Sequence, residues 1–308
     1  MAFNSHRMLG CNVYISEGLR LALVQQLKNV TSESTGTALV HTFIDKPYNR
    51  TGFTLVSPVS QELAGTVVRL AKAALASVDL RLHAATHPRL GVVDHISCHP
   101  LGRDAALSAA AETARSIGAQ LGEGELAVPV FLYGSAGAER RSLADIRRAC
   151  GYFKGSKQGA FKGASDISMP DSLRPDFGPG EFDPSRGIAT VGALPFVVNY
   201  NILLETEDLQ LARQIARAVS GRGGGLPCVE AMALPHDQGI EIACNLLDVA
   251  ISSTEAVAAA VQEYADKHRI PIKKAYTTGK SPEELCSLAT QALADQQENK
   301  ENPVILHC

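Results

Sequence analysis

The chain has 308 residues, of which 45% are apolar and 20% are charged, and its formal net charge is −3. This length predicts two domains of ordinary size or one large domain, with enough apolar residues for a well-filled core. The small net charge gives no indication of a nucleic-acid partner, and the apolar runs are too short to insert into a membrane. Seven scattered cysteines without a Cys-x-x-Cys motif, and a first segment without a signal-peptide core, predict reduced thiols and a cytoplasmic location.

The first half of the chain is predicted to alternate strands with helices, because apolar runs alternate with segments whose apolar residues recur at helical spacing. The runs at 38–45 and 52–57 are joined by a turn-forming segment, so they form a hairpin and the sheet that contains them is mixed. The predicted order is strand 8–16, helix 17–30, strands 38–45 and 52–57, helix 58–78, strand 91–98, helix 103–121, strand 128–133 and helix 143–150.

Residues 151–187 interrupt this alternation with seven glycines and four prolines. A loop of this length inside a compact protein is usually functional or disordered, and it is also the natural place for a domain boundary. We therefore predict an N-terminal subdomain at 1–180, a C-terminal subdomain at 181–294 and a flexible polar tail at 295–308.

The second half has a clearer order of elements. The pattern predicts strand 188–204, helix 207–220, strands 229–234 and 240–245, helix 253–268, strand 270–275 and a last helix from 281 to about 294. The order β-α-β-β-α-β is that of the ferredoxin-like unit, and the first half is a looser version of it. The predicted fold class is therefore α/β (α+β), with two ferredoxin-like α/β sandwiches side by side and mixed or antiparallel sheets.

Four of the nine histidines, at 83, 87, 95 and 99, form two pairs with i, i+4 spacing. On a helix such a pair could bind one metal ion, but Pro88 and Pro100 argue against helices here. On a strand, i and i+4 lie about 13 Å apart, so a metal site is disfavoured and a polar surface connector is the simple alternative. His87 differs from the others because Pro88 rigidifies its backbone and Arg89 supplies a cation, which favours a general base with a pKa near neutrality.

Two further segments have both a structural and a functional interpretation. The segment 45–51 is either simply a good turn or a turn that brings Asp45, Asn49 and Arg50 to a cleft. The loop that contains Lys154, Lys157 and Lys162 is either a solvated loop or a contact for an anionic ligand tail.

Proline- and glycine-rich segments are ambiguous in the same way. The stiff segment 174–187 contains Phe177 and Phe182, so it is either an interdomain linker or a wall for a flat aromatic ligand. The glycines at 221–225 follow a predicted helix and lack the pattern of a phosphate-binding loop. They therefore predict a helix end followed by a tight turn.

A set of short motifs occurs in order between residues 11 and 275. The motifs are Ser16-Glu-Gly18, Asn49-Arg50, His87-Pro-Arg-Leu-Gly-x-x-Asp94, Pro129-Val-Phe-Leu-Tyr133, Leu143-Ala-Asp-Ile-Arg-Arg148, Pro175-Asp-Phe-Gly-Pro179, Gly224-Gly-Leu-Pro227 and Asn245-Leu-x-Asp248. Each motif is weak alone, but the ordered set is specific. It resembles the glutamate formimidoyltransferase family, whose domain forms the N-terminal part of formimidoyltransferase-cyclodeaminase.

This resemblance implies two α/β subdomains with a folate-binding cleft between them, assembled as a homodimer. It implies transfer of a formimino or formyl group between N5 of tetrahydrofolate and an amine such as glutamate, as in one-carbon metabolism and histidine degradation. Tetrahydrofolate, in its free or polyglutamylated form, would be the co-substrate, and no metal is required. The resemblance also implies a stand-alone form without the cyclodeaminase domain.

The resemblance also implies particular site residues. The family's catalytic histidine falls on His87, and its active-site aspartate falls on Asp45. One histidine can remove the proton from the attacking amine and return it to the leaving nitrogen, while a carboxylate stabilises the charge on the amidine. The segment expected to bind folate consists of Gly178, Pro179, Gly180, Glu181, Phe182, Asp183, Pro184, Ser185, Arg186 and Gly187.

Two departures from the family's motifs lie near the expected site. Ala85-Thr86 stands where the family has Gly-Glu, and Tyr14 stands where it has asparagine. Folate binding is therefore expected to be better kept than glutamate as acceptor. The alternative function is a catalytically reduced, folate-binding scaffold or interaction protein, for example in trafficking. The third and weakest hypothesis is a metal hydrolase built on the histidines.

Overall fold

The first subdomain is an α/β sandwich built on a mixed sheet. The computed structural model describes residues 5–154, 161–162, 167–170 and 172–301. The elements of the first subdomain are β1 (Leu9–Ile15), α1 (Leu21–Ser32), β2 (Ala38–Asp45), β3 (Arg50–Ser57), α2 (Ser60–Ser77), β4 (Ala84–Ala85), β5 (Val93–Pro100), α3 (Leu107–Gly122), β6 (Val130–Gly134), α4 (Leu143–Ala149), β7 (Phe161–Lys162) and β8 (Ala189–Ala193).

The strand order of the first sheet is β2-β3-β1-β5-β8-β6. The pairings among β2, β3, β1 and β5 are antiparallel, whereas β8 pairs in parallel with β5 and with β6. The predicted hairpin and the predicted mixed sheet are therefore confirmed. The unit β1-α1-β2-β3-α2-β5 has the ferredoxin-like order, to which α3, β6 and β8 add two parallel strands.

The second subdomain is a smaller copy of the same unit. Its elements are β9 (Val198–Leu204), α5 (Leu209–Val219), β10 (Val229–His236), β11 (Gly239–Leu246), α6 (Thr254–His268) and β12 (Ile272–Thr277), and the chain continues into α7 (Pro282–Glu301). The sheet has the order β10-β11-β9-β12 and is antiparallel throughout. The predicted fold class of two ferredoxin-like sandwiches is confirmed.

Each sheet buries one face under helices and turns the other towards the neighbouring subdomain. On β1, Cys11, Val13 and Ile15 belong to the first core, whereas Asn12 and Tyr14 point to the opposite face. This follows from the two-residue period of a strand. A separate apolar cluster joins α7 to the first sheet, so the last helix returns to the first subdomain.

The prediction of one continuous strand at 188–204 is wrong, because this segment forms two strands. Its first part is β8 of the first sheet and its second part is β9 of the second sheet, with a break around Pro195, which has no N–H for a ladder. The strand order leads us to propose that the division between the subdomains lies at residues 194–197 and not at residue 180.

Two helix ends also differ from prediction. The first helix begins at Leu21 and not at Glu17, because the Glu17 carboxylate accepts hydrogen bonds from the N–H groups of Leu19 and Arg20 before the helix starts. The last helix continues to Glu301, so residues 295–301 of the predicted tail are helical. The Gln296 side chain bonds the backbone of residues 36 and 37 and holds the end of this helix. No helix in the described ranges is long and apolar enough to cross a membrane.

Candidate functional site

The open faces of the two sheets enclose a cleft of about 910 Å³. Its walls are built by residues that alternate with core residues along the strands, so the lining is more polar than either core. Polar lining residues from the strands are Asn12, Tyr14, His95, Ser97 and His99 on the first sheet and Asn199, Asn201, Glu230 and Asn245 on the second. A cleft between two domains is a common place for a small-molecule site.

The β2–β3 turn reaches into one end of the cleft. Asp45 and Arg50 line the cleft as predicted, but the prediction for Asn49 is wrong. The Asn49 side chain is buried and accepts a hydrogen bond from the Gly18 N–H at 2.9 Å. A Cβ at Gly18 would lie 2.6 Å from the Arg50 backbone nitrogen, so only glycine allows this close packing of the turn.

His87 lies in the cleft with both ring nitrogens engaged. Nδ1 lies 2.6 Å from the carbonyl oxygen of Pro88, which can only accept, so Nδ1 carries the proton and donates it. Nε2 is therefore unprotonated, and it accepts a hydrogen bond from Arg50 Nη1 at 3.0 Å. Burial, and next the positive charge of Arg50, hold the pKa of His87 well below its ordinary value. The predicted near-neutral pKa is wrong, and the imidazole is neutral and able to accept a proton at pH 7.

His83 and its neighbours support the turn. His83 Nε2 donates to the Asn49 carbonyl at 2.9 Å, and Arg89 donates to His83 Nδ1. Burial, followed by the charge of Arg89, lowers the pKa of His83 to about 4. His83 therefore fixes the backbone beside His87 and has no free nitrogen for a metal.

The two remaining histidines of the cluster lie on β5. His95 bonds the Tyr133 hydroxyl at 2.7 Å and stacks on Tyr14. His99 Nδ1 donates to the carbonyls of Leu194 and Pro195, so it anchors the connection between the sheets. In the part of the chain that the structure describes, no three His, Cys, Asp or Glu residues are grouped to hold a metal ion.

Two guanidinium groups line the cleft beside His87. Arg50 lies 4.0 Å above the Tyr14 ring, and Arg147 lies 4.4 Å above the Tyr152 ring. Among the residues that the structure describes, the N–H groups at Arg50 Nε and at Arg147 Nε and Nη2 are buried without a hydrogen-bond acceptor, although Nη2 lies 3.7 Å from the Asp94 carboxylate. Buried donors of this kind require a partner, so this wall is suited to oxygen atoms of a ligand. Neither Arg147 nor Tyr152 was predicted from the sequence as a site residue. The only signal for Arg147 was its place in the Leu143–Arg148 motif.

The departure at Tyr14 links the two subdomains. The Tyr14 hydroxyl donates to Asn199 Oδ1 at 2.9 Å, and Asn199 Nδ2 donates to Asn245 Oδ1 at 2.6 Å. The other departure lies at the edge of the site, where Ala85 pairs with Phe161 and the Thr86 hydroxyl donates to the Pro47 carbonyl. The phenol therefore occupies a bridging position at the bottom of the cleft.

An acidic group lies beside Tyr48, whose ring contacts His87. Asp45 is 6% exposed; its Oδ1 accepts the Tyr48 N–H at 2.9 Å and its Oδ2 lies 3.6 Å from His236 Nε2 of the second subdomain. His236 is the last residue of β10 and lies between the predicted strands 229–234 and 240–245. Its pKa is raised above the ordinary value, because the hydrogen bond to Asp45 and the neighbouring acidic charges outweigh the opposing effect of burial.

The contact between His236 and Asp45 predicts a pH-dependent contribution to stability. Because the pKa of His236 is raised on folding, this contribution is present below pH 6.5 and is lost as the pH rises through the folded-state pKa. We expect His236→Gln to destabilise the protein more at pH 6 than at pH 8 in urea unfolding. An equal loss of stability at both values would contradict the ion pair, and His268→Gln on an exposed helix end is the matched control.

The segment expected to bind folate lies against the end of the first sheet. The carbonyls of Ser185 and Arg186 accept hydrogen bonds from the N–H groups of Leu80 and Val92, both at 2.8 Å. A Cβ at Gly187, where φ is 72°, would lie 2.2 Å from the Leu90 carbonyl oxygen. None of the ten residues at 178–187 is among those that line the cleft, although Gly187 forms a bridge with Gly91, four residues after His87.

The two phenylalanines of this region are also used in packing. Phe177 and Phe182 lie against the first core, and Gly122 of α3 leaves the space for Phe177, since a Cβ there would lie 2.5 Å from the Phe177 Cβ. They do not wall the cleft. Folate binding by residues 178–187 stays a prediction. Of the predicted lysines, Lys154 is exposed, while Lys157 and the Lys162 side chain lie outside the described residues.

Comparisons with known proteins identify the family of this chain. Residues 8–194 match the family model of the formiminotransferase domain, N-terminal subdomain. The chain is 38% identical over 285 residues to a formiminotransferase cyclodeaminase-like protein of Arabidopsis thaliana, covering 90% of this chain and 95% of the relative. It is 27% identical over 230 residues to the glutamate formimidoyltransferase of Streptococcus pyogenes serotype M1, covering 74% of this chain and 73% of that relative. It is also 27% identical over 285 residues to the formimidoyltransferase-cyclodeaminase of Sus scrofa, covering 90% of this chain and 50% of that relative.

Proposed function

The chain belongs to the formiminotransferase family, and on that premise we propose that it moves a formimino or formyl group between N5 of tetrahydrofolate and an amine such as glutamate. The observation that carries the proposal is the neutral His87 imidazole in the cleft, with its proton on Nδ1 and its lone pair on Nε2. A base with this tautomer can take a proton through Nε2 without a change of ring orientation.

The proposed reaction passes through a tetrahedral intermediate. The amine attacks the formimino carbon and loses a proton to His87 Nε2, and the same proton is returned to the leaving nitrogen as the carbon–nitrogen bond breaks. In the free cleft, Arg50 donates a hydrogen bond to His87 Nε2. A bound ligand must therefore break this bond and bind the guanidinium before Nε2 can accept a proton. Arg50 has a buried Nε–H without a partner to offer to such a ligand. Asp45 would stabilise the positive charge of the amidine.

The cleft also suits the shape of a folate. Tyr152 lines the cleft with its ring covered on one face by the Arg147 guanidinium, and the Phe153 ring lies beside it with centroids 5.1 Å apart. The Tyr14 ring is covered by Arg50 and stacked on His95, so Tyr152 and Phe153 are the aromatic rings that a ligand can contact. A pterin is a flat ring with carbonyl and nitrogen acceptors, so it complements aromatic faces and unpaired N–H donors. The cleft is large enough for a folate-sized ligand. We propose that tetrahydrofolate binds here as a co-substrate.

The proposal is tested in two steps on the same sample. Calorimetry with folinate measures whether the cleft binds a folate, and consumption of formiminoglutamate in the presence of tetrahydrofolate measures transfer. Binding together with transfer is the expected result. Absence of folinate binding would overturn the proposal.

Substitutions in the cleft and in the 178–187 segment separate the two candidate folate contacts. We expect Tyr152→Ala to weaken folinate binding about fivefold, since the loss of one aromatic stacking partner costs about 1 kcal/mol. Glu181→Ala, at an exposed position of the segment, is the matched test of the sequence-based prediction. A similar loss of affinity would make Glu181 part of the folate site, and an unchanged dissociation constant would remove it.

The position of Tyr14 favours a second candidate function. Where the family has an asparagine, the phenol is bonded to Asn199 and covered by Arg50, so this position offers no free amide to a substrate. The second candidate is a folate-binding protein with reduced transfer to glutamate, which acts through protein partners. Folinate binding without consumption of formiminoglutamate is the result that selects it. For either function we propose a cytoplasmic homodimer.

A further inference from the structure

The carboxylate of Glu241 is buried on the cleft side of β11. Glu241 is 0% exposed, and its neighbours on the same face, Ala243 and Asn245, line the cleft. Three donors from three other segments bind it: Tyr48 Oη at 2.6 Å, Asn201 Nδ2 at 2.8 Å and Tyr276 Oη at 2.5 Å. Desolvating a carboxylate costs several kcal/mol unless hydrogen bonds compensate for it, so this arrangement requires all its donors.

One of these donors crosses from the first subdomain. Tyr48 lies in the β2–β3 turn, and its hydroxyl is the only one of the three donors that does not come from the second sheet. Burial, with the charge of Glu241, raises the pKa of Tyr48 well above its ordinary value. The phenol therefore keeps its proton and donates it to Glu241 throughout the physiological pH range.

Tyr48 touches both residues that are expected to carry the chemistry. Its backbone N–H donates to Asp45 Oδ1 at 2.9 Å, and its ring lies against the His87 ring with centroids 5.0 Å apart. The other side of the His87 ring faces Tyr152, with centroids 6.2 Å apart. A rotation of the Tyr48 ring would therefore shift the His87 ring and the turn that holds Asp45.

We propose that Glu241 is a positioning residue that acts through Tyr48 on His87 and Asp45. The carboxylate of the second subdomain fixes the phenol, and the phenol aligns the base and the carboxylate of the first subdomain. The base is thus aligned only when the two subdomains are docked. This inference rests on the proposed transfer function and adds a residue that has no contact with His87.

The test compares three substitutions around one carboxylate. Tyr48→Phe removes the bond between the subdomains, and Glu241→Gln weakens it by replacing the charged acceptor with a neutral amide, each with little change in volume. Tyr276→Phe removes a phenol bond to the same carboxylate and leaves Tyr48 in place, so it is the matched control. Misplacing a catalytic group by about 1 Å can cost about 100-fold in rate. We expect kcat to fall about 10- to 100-fold in the first two variants and less than about threefold in Tyr276→Phe, with KM within about threefold in all.

Coupling and nuclear magnetic resonance give independent readouts. If Glu241 acts through Tyr48, the double variant is no slower than the slower single variant, because both changes break the same link. Nuclear magnetic resonance of the His87 imidazole follows its alignment without turnover. We expect the His87 ring resonances to shift in Tyr48→Phe and Glu241→Gln, because the Tyr48 ring beside them moves, and to stay unchanged in Tyr276→Phe.

The outcomes distinguish this inference from the proposed function. Wild-type protein that transfers no group overturns the proposed function, and the imidazole resonances then decide the inference alone. Equal rates in all three variants and wild type, or equal losses in Tyr276→Phe and Tyr48→Phe, overturn the inference and leave the proposed function intact. Thermal unfolding of each variant shows whether a lost rate reflects a lost fold.

Discussion

His87→Ala is expected to lower the rate of group transfer by about 100- to 10,000-fold and to leave the folinate affinity within about threefold of the wild-type value. The range is that of general acid–base catalysis by one positioned side chain. Folinate affinity is kept because the proposed folate contacts are the Tyr152 and Phe153 rings and the guanidinium donors beside them. Transfer kinetics and calorimetry on the same preparation measure both quantities. Thr86→Ala, on the adjacent residue, is the control and should retain the wild-type rate.

The pH profile provides a second test of His87. Burial and the charge of Arg50 hold its pKa well below the ordinary value of 6.5. We therefore expect the limb of kcat/KM that reports this base to lie at a lower pH than that of an ordinary histidine, and His87→Ala to abolish it. Undiminished turnover in His87→Ala would remove the residue from the mechanism.

Arg147→Met is expected to destabilise the protein by about 3–5 kcal/mol, because it leaves the buried Asp94 carboxylate without its counter-ion. Asp94 is 2% exposed, and its Oδ2 lies 3.7 Å from Arg147 Nη2. Urea unfolding monitored by circular dichroism measures the loss. Arg148→Met, the neighbouring and more exposed arginine of α4, is the matched control, with an expected effect below about 0.5 kcal/mol.

A double substitution separates charge from packing at this site. Asp94→Leu combined with Arg147→Met removes both charges, so we expect it to recover part of the stability lost in Arg147→Met alone. A double variant that is less stable than both single variants would show that the contacts of the side chains, and not the unpaired charge, dominate. Arg147→Lys retains the positive charge but loses the planar guanidinium over Tyr152. Relative to Arg147→Met, we expect it to recover more of the free energy of unfolding than of the folinate affinity.

Local patterns in the sequence were sufficient for most of the fold. The hairpin of β2 and β3 followed from two apolar runs around a turn, and the ferredoxin-like order of the second half followed from helix and strand periods. These signals depend on residues close together in the chain. The same reasoning joined β8 to β9, because an apolar run does not record that its two halves pair with different sheets.

Local chemistry also pointed to His87 and Asp45, but not to the state of His87. The proline beside the histidine and the turn around Asp45 are visible in the sequence. The pKa of His87 depends on burial and on Arg50, whose contact with the imidazole is made only in the folded chain. The sequence therefore identified a candidate base and missed the cause of its low pKa.

The composition of 174–187 could not separate two structural roles. Prolines, glycines and Phe177 suit a ligand wall and equally suit a segment that closes the end of a sheet. The packing of Phe177 into the space beside Gly122 distinguishes them for that side chain, and this contact spans two elements far apart in sequence. Whether the backbone of 178–187 meets folate is a question for the Glu181→Ala experiment.

The sequence by itself determined the two α/β units and the family, and it indicated His87 as the candidate base, because periodicity, turn residues and ordered motifs are properties of neighbouring residues. Only the tertiary structure decided which strands share a sheet and that Arg147 faces Asp94. It also brought Glu241 to Tyr48, a contact between residues 193 positions apart. Such contacts depend on how the two sheets dock, and docking depends on the summed burial of both faces and not on any local pattern.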